Sequence, residues 1–518
     1  MKNRTFNRTP YSRICLTAPV LLGLVAVGAR AGEPLEVGSR KQLFIDHRFI
    51  ESKENISLVV NPPVKRQEAV IRSDKPWDAF RLIWFSVGED EGGYKMWYQA
   101  YDSDQWGGGT SRMCYATSSD LLTWEKPNLG IIDYQGSKEN NILVEHIVNG
   151  SVFIDPNGKP GERYKLVYSD YSAGMAGYVA TSADGIHWHM PGTKVAEHLS
   201  ETQHVAFWDR RLKKYVVYFR PGDHYPFVDP VPSDPPVVAP KVLRPGRQVA
   251  RVEMEDVLAP WPMDQARLVL VADEDDPEGS DIYTHSPYLY PHADDAYFLF
   301  PMSYQHFHSG ETGVGNDGVN DTLFAASRDG VHWMRYDRQP YVRRGLPGEF
   351  DFGMVQCGGG LHFRRGDYLY QFYAGWPWTH GGFRRLTPAQ RQDKAVTWGR
   401  QTLYLAKQRL DGFVSADAPY PGGWLVTPPL VFEGHRLELN VNVATMGDAR
   451  VEIQDADGNP IPGFTRDDCN RILMNDVAYT VGWGDTSDVS ALAGKPVRLR
   501  FEMRSAKLYA FQFRAQQQ

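Results

Sequence analysis

The sequence predicts an all-β fold, a five-bladed β-propeller followed by a C-terminal β-sandwich. Three observations lead there. Residues 182–188 (Ser-Ala-Asp-Gly-Ile-His-Trp) return as residues 327–333 (Ser-Arg-Asp-Gly-Val-His-Trp), with a looser copy at residues 118–124. Each copy closes a run of alternating strands, and such a run recurs five times between about residues 78 and 430. Beyond residue 430 strands continue without the repeat. Recurrence at a fixed period is the signature of a repeat architecture. Four-stranded meanders that cannot bury their faces alone share a core when set radially. Aromatics at 13%, with 48 glycines and 35 prolines among 518 residues, suit short strands joined by turns. The length calls for more than one domain.

The chain opens with basic Lys2, Arg4, Arg8 and Arg13, an apolar run over residues 14–28, and Ala29-Arg30-Ala31. This is the pattern of a cleaved signal peptide over residues 1–31, with an uncleaved anchor as the alternative. No later run reaches membrane length. The predicted location is exported, periplasmic or extracellular. Removing five basic residues leaves 51 basic against 63 acidic side chains, a net charge of −12. An acidic protein of this kind is a poor partner for nucleic acid or anionic membrane. Cys114, Cys357 and Cys469 are scattered, without metal spacing, and two sit in apolar strand runs, which predicts buried free thiols. No cofactor or metal is called.

The propeller is assigned to residues 32–429. Strands at 42–46 and 56–60 precede it and offer a way to close the ring; a six-bladed ring using them is the alternative. The first meander begins at Phe80 and ends with the strand opened by Trp124 after the Asp120 turn, and the second begins at Ser151 and repeats the grammar through the Asp184 turn and Trp188. In the third, a Pro-rich insertion fills residues 221–245 and the turn at 253–261 has lost the repeat. The fourth contains the long polar loop 303–321 before the Asp329 turn, and the fifth starts at Met354 and ends in a degenerate turn at Asp411-Gly412. Asp-Gly suits a tight hairpin because glycine takes positive φ without steric cost, and the following Trp buries a large apolar area. Residues 430–518 alternate without a repeat and are assigned to the sandwich.

Five meanders, Ser-x-Asp-Gly-x-x-Trp turns and an appended sandwich resemble the five-bladed glycoside hydrolases, families 32 and 43 above all. Exported bacterial "family 32 N-terminal domain-like" proteins resemble the chain along nearly all of its mature length. The turns are also similar to sialidase Asp-boxes, which carry one more residue between Asp and Gly. The resemblance implies a propeller and activity on carbohydrate, but the chain lacks family 32's Trp-Met-Asn-Asp-Pro-Asn-Gly and Glu-Cys motifs. Asp155-Pro156 looks like that family's Arg-Asp-Pro aspartate, yet it falls in the turn between first and second strands, on the face opposite the expected site.

Register supplies the candidates. In such propellers the site caps the channel, built from first-strand starts and second-to-third-strand loops. First-strand starts give Asp78, Asn149, Glu201 with His204, Asp281 with His285, and Asp351 with Gln356. The loops give Asp102, Asp104 and Trp106, then Asp170 and Tyr171, then Asp223 and His224; later ones give His306, His308, Asp317 and Asp321, then Trp376, Trp378 and His380. Arg112 and Arg247 open third strands. Acids and imidazoles bond sugar hydroxyls, while indoles stack on apolar sugar faces. Glycoside hydrolysis uses two facing carboxyl groups. The catalytic expectation is therefore Glu201 as general acid, Asp78 as base or nucleophile, and Asp351 as stabiliser. Trp106, Arg112, Tyr171, His204, His285, His306, His308, Trp376 and His380 are expected to bind substrate, and Arg112 and Arg247 suit a sulfated or uronic sugar. The expected function is an exported glycoside hydrolase acting on a poly- or oligosaccharide; the alternative is a non-catalytic carbohydrate-binding propeller.

Overall fold

The structure, a computed structural model, describes residues 33–103, 111–221, 246–307, 313–393 and 402–515. The signal segment, Trp106, His224, His308 and nearly all of the Pro-rich insertion lie outside them. The described chain is almost all β, its one α-helix being Pro388–Gln392. No described helix is long and apolar enough to cross a membrane.

Five antiparallel meanders follow one another. The first is Arg81–Asp90, Gly93–Tyr101, Ser111–Ser118 and Ile142–Glu145. The second is Val148–Ile154, Tyr164–Asp170, Ala176–Ser182 and Trp188–His189. The third is Val205–Asp209, Lys214–Phe219, Val249–Met254 and Arg267–Leu270. In the fourth each strand is broken midway: Ser280–Thr284, Met302–His306 and Gly318–Thr322 form one half, Pro287–Leu289, Tyr297–Leu299 and Ala325–Ser327 the other. The fifth is Met354–Arg365, Tyr368–Trp376 and Thr402–Arg409, closed by Val64–Arg72 from near the start of the chain.

First strands meet in a cycle. The Ser86 hydroxyl accepts from the Val152 amide at 3.0 Å. The Ser151 hydroxyl donates to the His204 carbonyl. Thr202 bonds Thr284 at 2.7 Å, and Ser286 bonds the Cys357 carbonyl at 2.6 Å. Gly359 then pairs with Ser86 in parallel, returning to the first sheet. These buried hydroxyls thus find partners on the neighbouring sheet rather than in water.

The Asp-Gly turns are looser than two-residue hairpins and are held by the aspartate. Asp184 accepts from the amides of Ile186 and His187, both at 2.8 Å, while Ser182 accepts from Gly185. Asp329 repeats this with Val331, His332 and Ser327, and Asp120 repeats its own part with Leu122 and Thr123. Neighbouring sheets latch onto the turns: Trp97 donates to the Gly185 carbonyl and Tyr218 to that of Gly330. A second latch repeats beside it. Asp90, Asp155 and Asp209, at hairpins between first and second strands, accept from Tyr164, Tyr215 and Tyr297 of the next sheet. Asp155 is therefore a buried latch that also pairs with Lys165 at 3.2 Å.

Strand pairing crosses the expected boundary at residue 430. Leu35–Gly38, Gln42–Leu43, Ser52–Glu54 and Ser57–Val60 all join the sheet built on the long strands Arg436–Asp455 and Val497–Arg514, as do Val414–Ala418 and Gly423–Val426. Phe44 and Phe49 pack with Phe501 and Phe511 in its core. The N-terminal strands thus belong to the C-terminal unit, and Val64–Arg72 is the strand that completes a meander. Asp46 binds Arg328 of the fourth meander's Asp-Gly turn at 2.9 Å, tying the two parts together. Cys114, Cys357 and Cys469 are buried and unbridged.

Candidate functional site

A cavity of about 230 Å³ opens where the first strands begin and the second strands end. Every one of the five meanders contributes to it. Arg81, Trp84 and Tyr101 come from the first, Asn149 and Tyr171 from the second, and Glu201, Arg220 and Arg247 from the third. Tyr283 and Asn316 come from the fourth, and Gln356, Trp376, His380 and Arg384 from the fifth.

Two of these residues owe their position to β-bulges. Register slips between Ile83 and Phe85, and between Val148 and Ser151. At the slips Trp84 (φ 47°) and Asn149 (φ 61°) take left-handed backbone conformations. Non-glycine residues pay for such conformations, and a bulge is a recognised way to re-aim a side chain at a site.

Arginines dominate the walls. Arg220 donates to the Ser200 hydroxyl at 2.7 Å and the Glu201 carbonyl at 2.8 Å, so its hydrogen bonds go to neutral groups. No carboxylate among the described residues forms an ion pair with it. Burial pulls its pKa down and Arg247 acts in the same direction, with Tyr283, Glu201 and Asp281 opposing. Arg247 pairs with Asp281 at 2.7 Å, reaches Asn316 at 3.2 Å, and lies over the rings of Tyr283 and Tyr304. Arg81 stacks on Tyr101 at 4.3 Å. Arg384 reaches the Gly315 carbonyl at 3.4 Å. Guanidinium keeps its charge under such burial, so the cavity is positive inside an acidic chain.

Glu201 is the single carboxylate among the described lining residues. It accepts a 2.5 Å hydrogen bond from Tyr171. That bond is the first cause that raises the Tyr171 pKa, to about 12, with burial adding to it. His380 accepts from Tyr283 at 2.9 Å through Nε2 and donates to the Asn316 carbonyl through Nδ1. Burial pushes its pKa down to about 4, so the ring is neutral near pH 7.

Of the described sequence candidates, the cavity brings together Asn149, Tyr171, Glu201, Arg247, Gln356, Trp376 and His380, and the rest lie outside its lining. Asp78 does not line the cavity. It ends the 3₁₀ turn Pro76–Asp78, is fully buried, caps the Lys75 amide and pairs with Lys126 at 2.6 Å. Burial raises its pKa against the pull of Lys126. Asp351 is also buried away from the cavity lining, paired with Lys65 of the closing strand at 2.6 Å. The expected triad of carboxyls is thus not assembled around this cavity.

Arg112 pairs with Asp102 at 2.9 Å and Glu145 at 3.1 Å. His306 pairs with Asp281 at 2.7 Å, behind Arg247. His204 and His285 are fully buried, His204 bonded to Ser169 at 2.8 Å. Burial lowers both pKa values, His285 to about 4. Among the described residues no group of three His, Cys, Asp or Glu side chains could hold a metal. Arg81, Trp84, Tyr101, Arg220, Tyr283 and Arg384 were absent from the sequence candidates. Tyr101 ends a second strand, as Trp376 does, and Arg220 directly follows one, so that signal was present; the bulge at Trp84 leaves none.

No family model matches the chain. It is 27% identical over 159 residues to "Uncharacterized protein Rv1502" of Mycobacterium tuberculosis, a match covering 29% of this chain and 48% of that protein. The chain thus spans about half the length of the curated relatives it matches. Among solved structures, a "Glycoside hydrolase" aligns with a TM-score of 0.42 at 15% identity, covering 67% of this chain and 92% of that one. A "GH62 hydrolase in complex with xylotriose" aligns at 0.39 and 12% identity, covering 67% and 98%.

Proposed function

We propose that the five meanders are the blades of a propeller, that the C-terminal unit with its N-terminal strands is a β-sandwich, and that this exported protein recognises an anionic saccharide in the cavity. The observation that carries this is the meeting of Arg81, Arg220, Arg247 and Arg384 around one carboxylate, in a chain of net charge −7. Guanidinium forks suit the planar carboxylate of a uronic acid or the oxygens of a sulfate ester. Trp84, Tyr101, Tyr283 and Trp376 supply ring faces, and Asn149, Asn316 and Gln356 supply donors and acceptors for hydroxyls. The cavity is smaller than the roughly 300–1,000 Å³ of pockets for drug-sized ligands, which suits a single sugar residue. Hydrolysis by two facing carboxyl groups finds one candidate, Glu201, in the described lining, so recognition of charge is the better supported part of the reading.

The test is binding to a panel of neutral, uronic and sulfated oligosaccharides, wild type beside Arg220→Gln. Uronic or sulfated members are expected to bind, with affinity falling about tenfold or more in the variant. Equal binding of neutral and charged members would remove the proposal.

A further inference from the structure

We infer that the protein has a second anion site, built around Arg251, that takes a tetrahedral oxyanion: a sulfate or phosphate group, free or carried on a larger molecule. It shares no residue with the arginine-lined cavity and does not depend on the saccharide reading.

The site is a cavity of about 210 Å³ where the third sheet meets the Asp-Gly turn of the fourth. Lys214 opens a second strand, Arg267 opens a fourth strand, and Glu253 stands one residue before the end of a third. Val331, whose amide bonds Asp329, comes from the turn itself. The first cavity lies at the other end of the strands, where Tyr101 and Trp376 finish second strands.

Arg251 departs from the repeat. Cross-strand pairing puts Tyr115 of the first sheet opposite Trp97, Val179 of the second opposite Val167, and Arg251 of the third opposite Tyr218. The three positions are equivalent, because each lies at the same remove from the pairs Tyr94 with Ser118, Tyr164 with Ser182, and Tyr215 with Met254. A guanidinium thus stands where the first two sheets bury an aromatic or aliphatic side chain. Its side chain is 3% exposed, and Nη1 pairs with Glu253 at 2.8 Å. Nε and Nη2 are buried with no hydrogen-bond partner among the described residues. The Tyr218 ring, 5.7 Å from the guanidinium carbon, supplies a cation–π contact and no acceptor in the ring plane. A buried charge with unmet donors is costly, and an apolar side chain in its place is often neutral or stabilising. An anion in the cavity offsets that cost.

The walls suit such a ligand. Lys214, Arg251 and Arg267 face one carboxylate, Glu253, and Gln265 adds an amide. The Lys214 ammonium has Glu255 at 3.7 Å, both side chains largely in solvent. Arg267 forms no ion pair among the described residues. The three cations come from three strands and so approach from different directions. That arrangement favours an anion with oxygens on all sides over a planar carboxylate, for which a single guanidinium fork is the better match. Val269 and Val331 supply apolar walls, which strengthen the attraction by excluding water.

The experiment is calorimetry on the full chain with inorganic sulfate, inorganic phosphate and acetate, and with a sulfated oligosaccharide beside its uncharged parent. The proteins are wild type, Arg220→Gln, Arg251→Met, and the double variant Lys214→Gln with Arg267→Gln. Lys214 and Arg267 stand at the open rim, so the double variant tests the site without disturbing the core; Arg251→Met restores an apolar side chain at the repeat position. Sulfate or phosphate is expected to bind wild type and Arg220→Gln alike, and about tenfold or more weaker to both Arg251→Met and the double variant. A sulfated oligosaccharide that binds tighter than inorganic sulfate, and loses that affinity in the same variants, identifies the carried group; binding of the inorganic ions alone identifies the free anion. Oxyanion binding that Arg220→Gln abolishes and the other variants keep overturns the site. Acetate binding as tightly as sulfate overturns it too, as does the absence of binding by both inorganic oxyanions. None of these outcomes decides the saccharide reading, which stands or falls on the sugar panel with Arg220→Gln.

Discussion

Arg220 shows how the site works at the scale of one residue. It is held in place by neutral acceptors and stays cationic, so on the proposed reading an incoming anion is the charge partner that the described protein does not supply. A ligand that binds only the folded state adds stability, about 2.7 kcal/mol at 100 times its Kd. Saturating uronic oligosaccharide should therefore raise the melting temperature of wild type and not of Arg220→Gln, a contrast that differential scanning calorimetry reads directly. Asp90 offers a second residue-scale test. Burial raises its pKa, but Tyr164, Lys95 and Arg163 outweigh that and hold it at about 2, below its ordinary 3.8. Its contribution is thus fully present above about pH 4 and is lost as pH falls toward 2. Urea denaturation across pH 2–6 should show a shallower acid loss in Asp90→Asn than in wild type. At this scale the sequence reveals which residues stand at first-strand starts, but not what faces them. Asp78 and Asp351 look alike in register to Glu201; their lysine partners lie 48 and 286 positions away, and no local pattern announces them.

The elements explain why the repeat was legible and what it is for. Gly185 sits at φ 78°, and a Cβ there would lie 2.7 Å from the Trp97 ring of the preceding sheet. Glycine is required twice, once by backbone conformation and once by the latch. Gly185→Ala should cost about 1–3 kcal/mol in chemical denaturation. Saccharide affinity should be unchanged, because the turn is at the end of its sheet opposite the cavity. Leu121 occupies the same place in the first sheet at φ 66°, which is why that copy reads as looser. Sheets one to three follow the alternation closely. The fourth hides its continuity because its strands break near residues 285, 300 and 323, and the fifth because its outermost strand pairs across more than 300 positions. Bulges at Trp84 and Asn149 depend on tertiary demand, so alternation alone could not place these side chains in the site.

For the whole molecule, the two ends of the chain are woven into one unit. The core around Phe44, Phe49, Phe501 and Phe511 needs residues 35–60 as much as residues 430–514. A fragment of residues 430–518 alone should lack cooperative unfolding and dispersed amide resonances. A dispersed NMR spectrum from that fragment would show that the N-terminal strands are dispensable. The sequence reveals the change of grammar at 430 but not this return, since short strands before residue 61 carry no mark of their partner. The same topology places all five meanders' cavity residues on one face while the latches occupy the other, so stability and recognition can be altered separately.

The most direct measurement is calorimetry with uronic oligosaccharides and their methyl esters, which share linkage and hydroxyls and differ in the charge and one methyl group of each carboxyl. Binding of the acids that weakens steeply with salt, and loss of about tenfold or more on esterification, is the predicted result. Esters that bind as tightly as the acids would contradict an arginine-built anion site.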